Sequence, residues 1–197
     1  MIGEVLTFLR GRLNGYISVR LGTVPGGSEP DKVVLPDGEK MDPIEFPLNA
    51  VTALLINIEQ EKSLPAPDPY YRMSADGKNE RIQPEIRMNL YVLFVARFKQ
   101  YEQGLNYLTL IIQYFQNHRL HDHDNAPELS DRIGKLTLEM ITLPFSEQNE
   151  VWSALRTTYH PSVMYRVRMV VFEDDESISA PPIGESLIRA TRIETTQ

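Results

Sequence analysis

Ile2, Val5, Leu6, Leu9 and Leu13 recur at helical spacing, and Asn14-Gly15 supplies residues that tolerate the left-handed conformation closing a helix. The spacing predicts a short amphipathic helix ending there. Residues 22–47 carry Pro25, Pro30, Pro36, Pro43 and Pro47 with β-prone pieces such as "KVVLP" between them, which predicts irregular chain or edge strands. "VTALLINIEQ", residues 51–60, is a short β-rich apolar run and predicts a strand buried on much of both faces. In "EIRMNLYVLFVARF" the residues Ile86, Met88, Leu90, Val92, Phe94, Ala96 and Phe98 share one face of a strand. Arg87, Asn89, Tyr91 and Arg97 on the other face frame Leu93 and Val95. Tyr101, Leu105, Leu108, Ile112 and Phe115 then form a helical stripe that ends near Asn117.

"KLTLEMITLP" predicts the next strand, with Leu136, Leu138 and Met140 together on one face. Ser146 stands where it would cap a following helix, with Glu147 complementing the positive helix start. "SVMYRVRMVVF" alternates Val163, Tyr165, Val167, Met169 and Val171 against Met164, Arg166 and Arg168, and predicts the last strand. Proline and "ADGKN" make residues 63–84 a long loop or a projecting hairpin. Its cluster Tyr70, Tyr71 and Arg72 suits a protein contact or a self-packed loop. After residue 172 an acidic run and Pro181-Pro182 introduce a tail whose one apolar patch contains Ile183, Leu187 and Ile188. The expected organisation is one domain over residues 1–172 and a tail over 173–197 that orders on a partner.

Length and composition narrow the function classes. A chain of 197 residues with 42% hydrophobic content buries one substantial core. A net charge of −7, with no cluster of Lys and Arg, argues against a nucleic-acid groove. With no cysteine there is no thiolate nucleophile and no Cys-based metal site. No uncharged apolar run approaches the roughly 20 residues that a membrane-spanning helix needs, and Glu4, Arg10 and Arg12 interrupt the apolar N-terminus as a signal peptide. The sequence therefore predicts synthesis in the cytoplasm and no direct membrane insertion.

One segment asks a chemical question. "HRLHDHD" packs His118, His121 and His123 with Asp122 and Asp124 into seven residues. In an extended chain His121 and His123 would face one side, and a metal-dependent hydrolase centred on these histidines and Asp124 is the sharp reading. The bland reading places His118 in the last helical turn and uses the aspartates and Asn125 to build the turn before Pro127. The turn reading is the stronger, because a zinc site needs three or four converging ligands and a loop guarantees none. No nucleophile elbow, phosphate loop or H-E-x-x-H occurs. The expectation is no enzyme, no cofactor and no metal. His160, held before Pro161, and Trp152 are expected to be structural, Trp152 anchoring a helix to the sheet or serving as an interface hot spot. Arg166 and Arg168 share a face with Glu139, which predicts an ion pair across the sheet or across a subunit boundary, or a solvated face.

Five stretches, "LLINIEQEKSL", "MNLYVLFVARFKQYEQGLNYL", "IIQYFQNHRL", "LTLEMITLPFSEQNEVWSAL" and "YHPSVMYRVRMV", resemble in order and spacing the cap or tail-terminator proteins of contractile injection systems of the antifeeding-prophage type. The resemblance implies an α+β fold, a mixed sheet of about four main strands with two or three helices packed on it. It implies a homohexameric ring on the inner tube that ends tube growth and anchors the last sheath layer, with self, tube protein and sheath protein as partners, in a particle that is released or membrane-anchored. A tail terminator or adaptor on a phage capsid is the alternative. Residues 120–123 depart from the family pattern, which suits a variable loop.

Overall fold

The computed structural model describes residues 1–22, 30–41, 43–61, 71–73, 79–81 and 86–171. Its elements in chain order are α1 (Ile2–Leu21), β1 (Val33–Val34), a 3-10 turn (Gly38–Lys40), β2 (Ala50–Gln60), β3 (Tyr71–Met73), β4 (Asn79–Arg81), β5 (Ile86–Arg97), α2 (Tyr101–Asn117), β6 (Leu120–Asp122), β7 (Ile133–Ile141), α3 (Phe145–Ala154) and β8 (Ser162–Val171). The described residues fall into two units. One carries the helices and a six-stranded sheet of order β1-β2-β5-β8-β7-β6. The other contributes β3 and β4, which pair antiparallel with Arg72 opposite Glu80. Tyr71 and Arg72 therefore stand in a strand, whereas Tyr70, Ile183, Leu187, Ile188 and the boundary expected at residue 172 lie outside the described residues.

The sheet is mixed because β1 runs parallel to β2 while all other pairings are antiparallel. The four long strands β2, β5, β8 and β7 are the four main strands expected, and two short strands border them. α1 and α2 cover one face. Val5, Leu9, Leu13 and Ile17 of α1 repeat every four residues, and they bury against α2 and against Val51, Ala53, Leu90, Val92 and Phe94 of the sheet. Phe94, Phe115 and Tyr165 meet ring to ring at the centre of this layer.

The opposite face is divided. Near the start of β2, Leu54, Leu93, Val95 and Met164 form a second apolar cluster closed by Ile44, Phe46 and Trp152. Trp152 thus anchors α3 to the sheet, at 5% exposure and with its ring 6.2 Å from that of Phe46. Leu93 and Val95, which interrupt the polar face of β5 in sequence, are the sheet's contribution to this cluster.

Four local expectations change. α1 passes through Asn14-Gly15 and ends at Gly22, whose φ of 70° is the left-handed cap and whose N–H reaches the Ser18 and Val19 carbonyls. Burial of Ile17 one turn on outweighs the helix cost of a single glycine. α2 has the predicted span, but its buried face is Gly104, Tyr107, Leu108, Ile111, Tyr114 and Phe115, leaving Tyr101 67% and Leu105 40% exposed. Gly104 decides this rotation. A Cβ there would stand 3.3 Å from Phe98, so the helix closes on β5 at the glycine and Tyr107 stacks on Phe98 at 4.8 Å. α3 begins at Phe145, one residue before Ser146, because the Pro144 carbonyl already accepts the Gln148 N–H; Ser146 makes no capping bond. Met140 shares the face of Leu136 and Leu138 yet is 52% exposed.

Candidate interaction surfaces

The histidine segment resolves into a helix end, a buried ring and a turn. His118 follows α2, its Nδ1 2.9 Å from the Tyr114 carbonyl and its ring stacked on Tyr114 at 4.5 Å. His121 lies on β6, 1% exposed, edge-on to Phe8 of α1 at 5.3 Å. His123 is exposed in the turn, so the two rings expected on one side are separated. Asp122 Oδ1 accepts the N–H groups of Asp124 and Asn125, each at 3.1 Å, and Asn125 Oδ1 accepts the Asp122 N–H. These are the turn bonds the bland reading asked for. Among the described residues no three His, Asp or Glu side chains converge as metal ligands.

Arg12 ties this corner to α1. It donates through Nη2 to the Asn125 carbonyl at 2.9 Å, pairs through Nη1 with Glu128 at 3.1 Å, and lies 5.7 Å over the Phe8 ring. Burial, the Arg12 charge and His118 together push the His121 imidazole down to about 4, outweighing the opposing pull of Glu128 and Asp122. His121 is therefore a neutral packing residue at pH 7, and its Nε2 is buried without a hydrogen-bond partner.

Arg166 and Arg168 lie on the polar half of the divided face. Strand register sets Tyr91, Arg166 and Glu139 side by side across β5, β8 and β7. Tyr91 donates its hydroxyl to Glu59 at 2.6 Å, and Arg166 donates to Glu139, whose carboxyl it holds below the usual range. Arg168 stands 3.4 Å from Glu61. The expected ion pair is thus made across the sheet within one chain. Exposed as these groups are, it is worth little energy and chiefly fixes side-chain order.

Two features carried weak sequence signals. Asn14, read as a helix stop, is a bracket: its Oδ1 accepts the N–H groups of Lys32 at 3.0 Å and Val33 at 2.9 Å, and its Nδ2 donates to the Val33 carbonyl at 2.8 Å. Nothing next to Asn14-Gly15 in sequence points to backbone partners 18 and 19 residues further on. Around α3, Phe145 is 90% and Tyr159 60% exposed, and both border a shallow groove with Gln148, Asn149, Ser153 and Thr157, a lining without charge. Charge-poor aromatic surface of this kind has the composition of an interface core.

The model of the Pvc16 N-terminal domain family matches residues 4–185. The chain belongs to this family. As a Pvc16 N-terminal domain it has solved structural counterparts. One is the sheath/tube terminator of the PVC extracellular contractile injection system in its extended state, matched with a TM-score of 0.58 at 14% identity over 100% of this chain and 64% of that one. Another is the tube-terminating cap of the anti-feeding prophage, with a TM-score of 0.49 at 13% identity over 73% of this chain and 49% of the cap. This Pvc16 domain therefore spans less than two thirds of the length of either chain. The first likeness is one of fold: the mixed sheet with its helices is that of a sheath/tube terminator chain. No match to a curated protein was found.

Proposed function

We propose that this Pvc16-family chain is a structural terminator of a contractile injection particle, forming a six-fold ring that ends the inner tube and holds the last layer of sheath. The observation that supports the reading is that the fold resembles that of a sheath/tube terminator, in a comparison covering 100% of this chain, while the family match covers residues 4–185. The physics of termination is compatible with it. Identical subunits close a ring through heterologous contacts, in which two different patches of one subunit meet. The uncharged aromatic groove on α3 is a candidate for one such patch. Arg166 and Arg168, already engaged by Glu139 and Glu61, would present an ordered polar surface to a tube or sheath subunit. Tyr70, Tyr71 and Arg72, and the tail patch of Ile183, Leu187 and Ile188, complete the proposed contacts. In this reading the chain is made in the bacterial cytoplasm and acts as a part, not as an enzyme.

The test is electron microscopy of particles from cells lacking the gene. Naked tubes of uncontrolled length, or loss of intact sheathed particles, are expected. Capped particles of normal length overturn the reading. Removal of residues 177–197 tests the tail separately: it is expected to weaken sheath attachment, and unchanged attachment and contraction would exclude the tail from that role.

A further inference from the structure

Asn14 does for one edge of the sheet what a neighbouring strand would do. β1 stands at the end of the strand order, parallel to β2, with Val33 opposite Val51. The Val51 N–H reaches the Lys32 carbonyl at 2.7 Å, so the next residue, Val33, turns its own N–H and C=O away from β2. Both outward groups end on one side chain. Asn14 Oδ1 accepts the Val33 N–H at 2.9 Å, and Asn14 Nδ2 donates to the Val33 carbonyl at 2.8 Å. A residue on an antiparallel strand would make the same two-bond exchange with Val33. A carboxamide can imitate it because, like a peptide group, it carries a donor and an acceptor side by side. The same Oδ1 also takes the Lys32 N–H at 3.0 Å.

The surroundings of β1 already resist a further strand. The strand is two residues long, Lys32 precedes it, and Pro30 and Pro36 stand on either side; lysine, proline and short length are ordinary means of blunting an edge. Val33 is the position these leave open, and there the side chain of Asn14 takes over. Its place is set by α1, which continues past Gly15 so that Leu13 and Ile17, 0% and 1% exposed, bury against the sheet on either side of it. A helix that stopped at Asn14-Gly15 would have no such hold on the edge.

We propose that Asn14 is a plug that closes the β1 edge against strand addition, so that this edge takes no extended segment from other copies of the chain. Without the carboxamide, the Val33 N–H and C=O become an open pair to which such a segment can bond. The inference concerns a contact that the fold prevents, and it stands whether or not the chain is a terminator.

The experiment compares the purified natural chain with Asn14→Ala by sedimentation over a series of concentrations, together with hydrogen exchange of the Val33 amide. In the natural chain that amide is expected to exchange at least about tenfold more slowly than in an unstructured chain, and exchange at the unstructured rate overturns the inference before any variant is made. Asn14→Ala is expected to form larger species than the natural chain at matched concentration. Its Val33 amide should exchange at least about tenfold faster than the natural one when dilute, and slow again as the larger species form. Species of natural size at every concentration, or larger species in which Val33 is not slowed, overturn the plug. Adding Val33→Pro to Asn14→Ala removes the outward N–H while leaving the bond from Val51 in place, and is expected to restore the natural size even though it sacrifices packing. A double variant that associates as strongly as Asn14→Ala would show that lost stability drives the association, and the inference fails.

Discussion

Replacing His121 by phenylalanine is expected to change how stability responds to mild acid. The imidazole is 1% exposed among Phe8, Tyr114 and His118, near Arg12, and its folded-state pKa is pushed down to about 4 from an ordinary 6.5. A depressed histidine means that the unfolded chain takes up a proton which the folded chain refuses. The stability linked to that proton is intact above pH 6.5 and is lost as pH falls from 6.5 toward about 4. At roughly 1.4 kcal/mol per pH unit the full loss is about 3 kcal/mol, of which about 2 kcal/mol is already gone at pH 5. Phenylalanine keeps a flat ring but binds no proton. Its larger size adds a roughly constant packing cost of about 1–3 kcal/mol that does not vary with pH. Urea unfolding at pH 7.5 and pH 5 is the assay. Carboxylates titrate in both proteins and cancel in the comparison, so the natural chain should lose about 2 kcal/mol more than the variant between the two conditions. Parallel pH profiles, or an NMR titration placing the His121 ring near 6.5, would refute the reasoning.

Asn14→Ala removes three hydrogen bonds that fix β1 and should cost about 1–3 kcal/mol in denaturant unfolding, because the Val33 backbone is left without its partners. Trp152→Ala empties the centre of the second apolar cluster and is expected to cost about 3–5 kcal/mol; a loss under 1 kcal/mol would mean that α3 is not anchored there. Gly15→Ala, at a helical position where an added Cβ meets nothing within 4 Å, should raise stability by about 0.5–1 kcal/mol. Glu139→Gln, by contrast, should change unfolding free energy by less than about 1 kcal/mol, since Glu139 is largely exposed; a larger loss would show that the row from Glu59 to Glu139 acts as a unit.

Where the sequence was readable, one periodicity sufficed. β5 and β8 alternate over ten or more residues, and the helical pattern of α2 starts and stops sharply at the helix's own ends. What periodicity could not supply was rotation and continuation. The helical stripe of large apolar residues runs through Tyr101 and Leu105, but the contact is set by the smallest residue, Gly104, which carries no hydrophobic signal. Asn14-Gly15 looked like an end because local preference is visible in sequence, while the distant Val33 that employs Asn14 is not. Among the candidate contacts, strand alternation puts Arg166 and Glu139 on one face, while their pairing within one chain comes from the register of β7 against β8. The exposure of Met140 is not legible in sequence, since it depends on β6 stopping at Leu120.

The placement of the single tryptophan has an experimental consequence. Trp152 belongs to the smaller cluster, whereas Tyr107, Tyr114 and Tyr165 are buried in the layer beneath the helices. Red-edge fluorescence therefore reports only on the smaller layer, and helical circular dichroism chiefly on the larger, through α1 and α2. Coincident transitions by the two probes would mean that the sheet unfolds both layers together. Separated transitions would mean that the chain can release α3 and its aromatic surface while the remainder stays folded, which gives an optical handle on rearrangement of that surface alone.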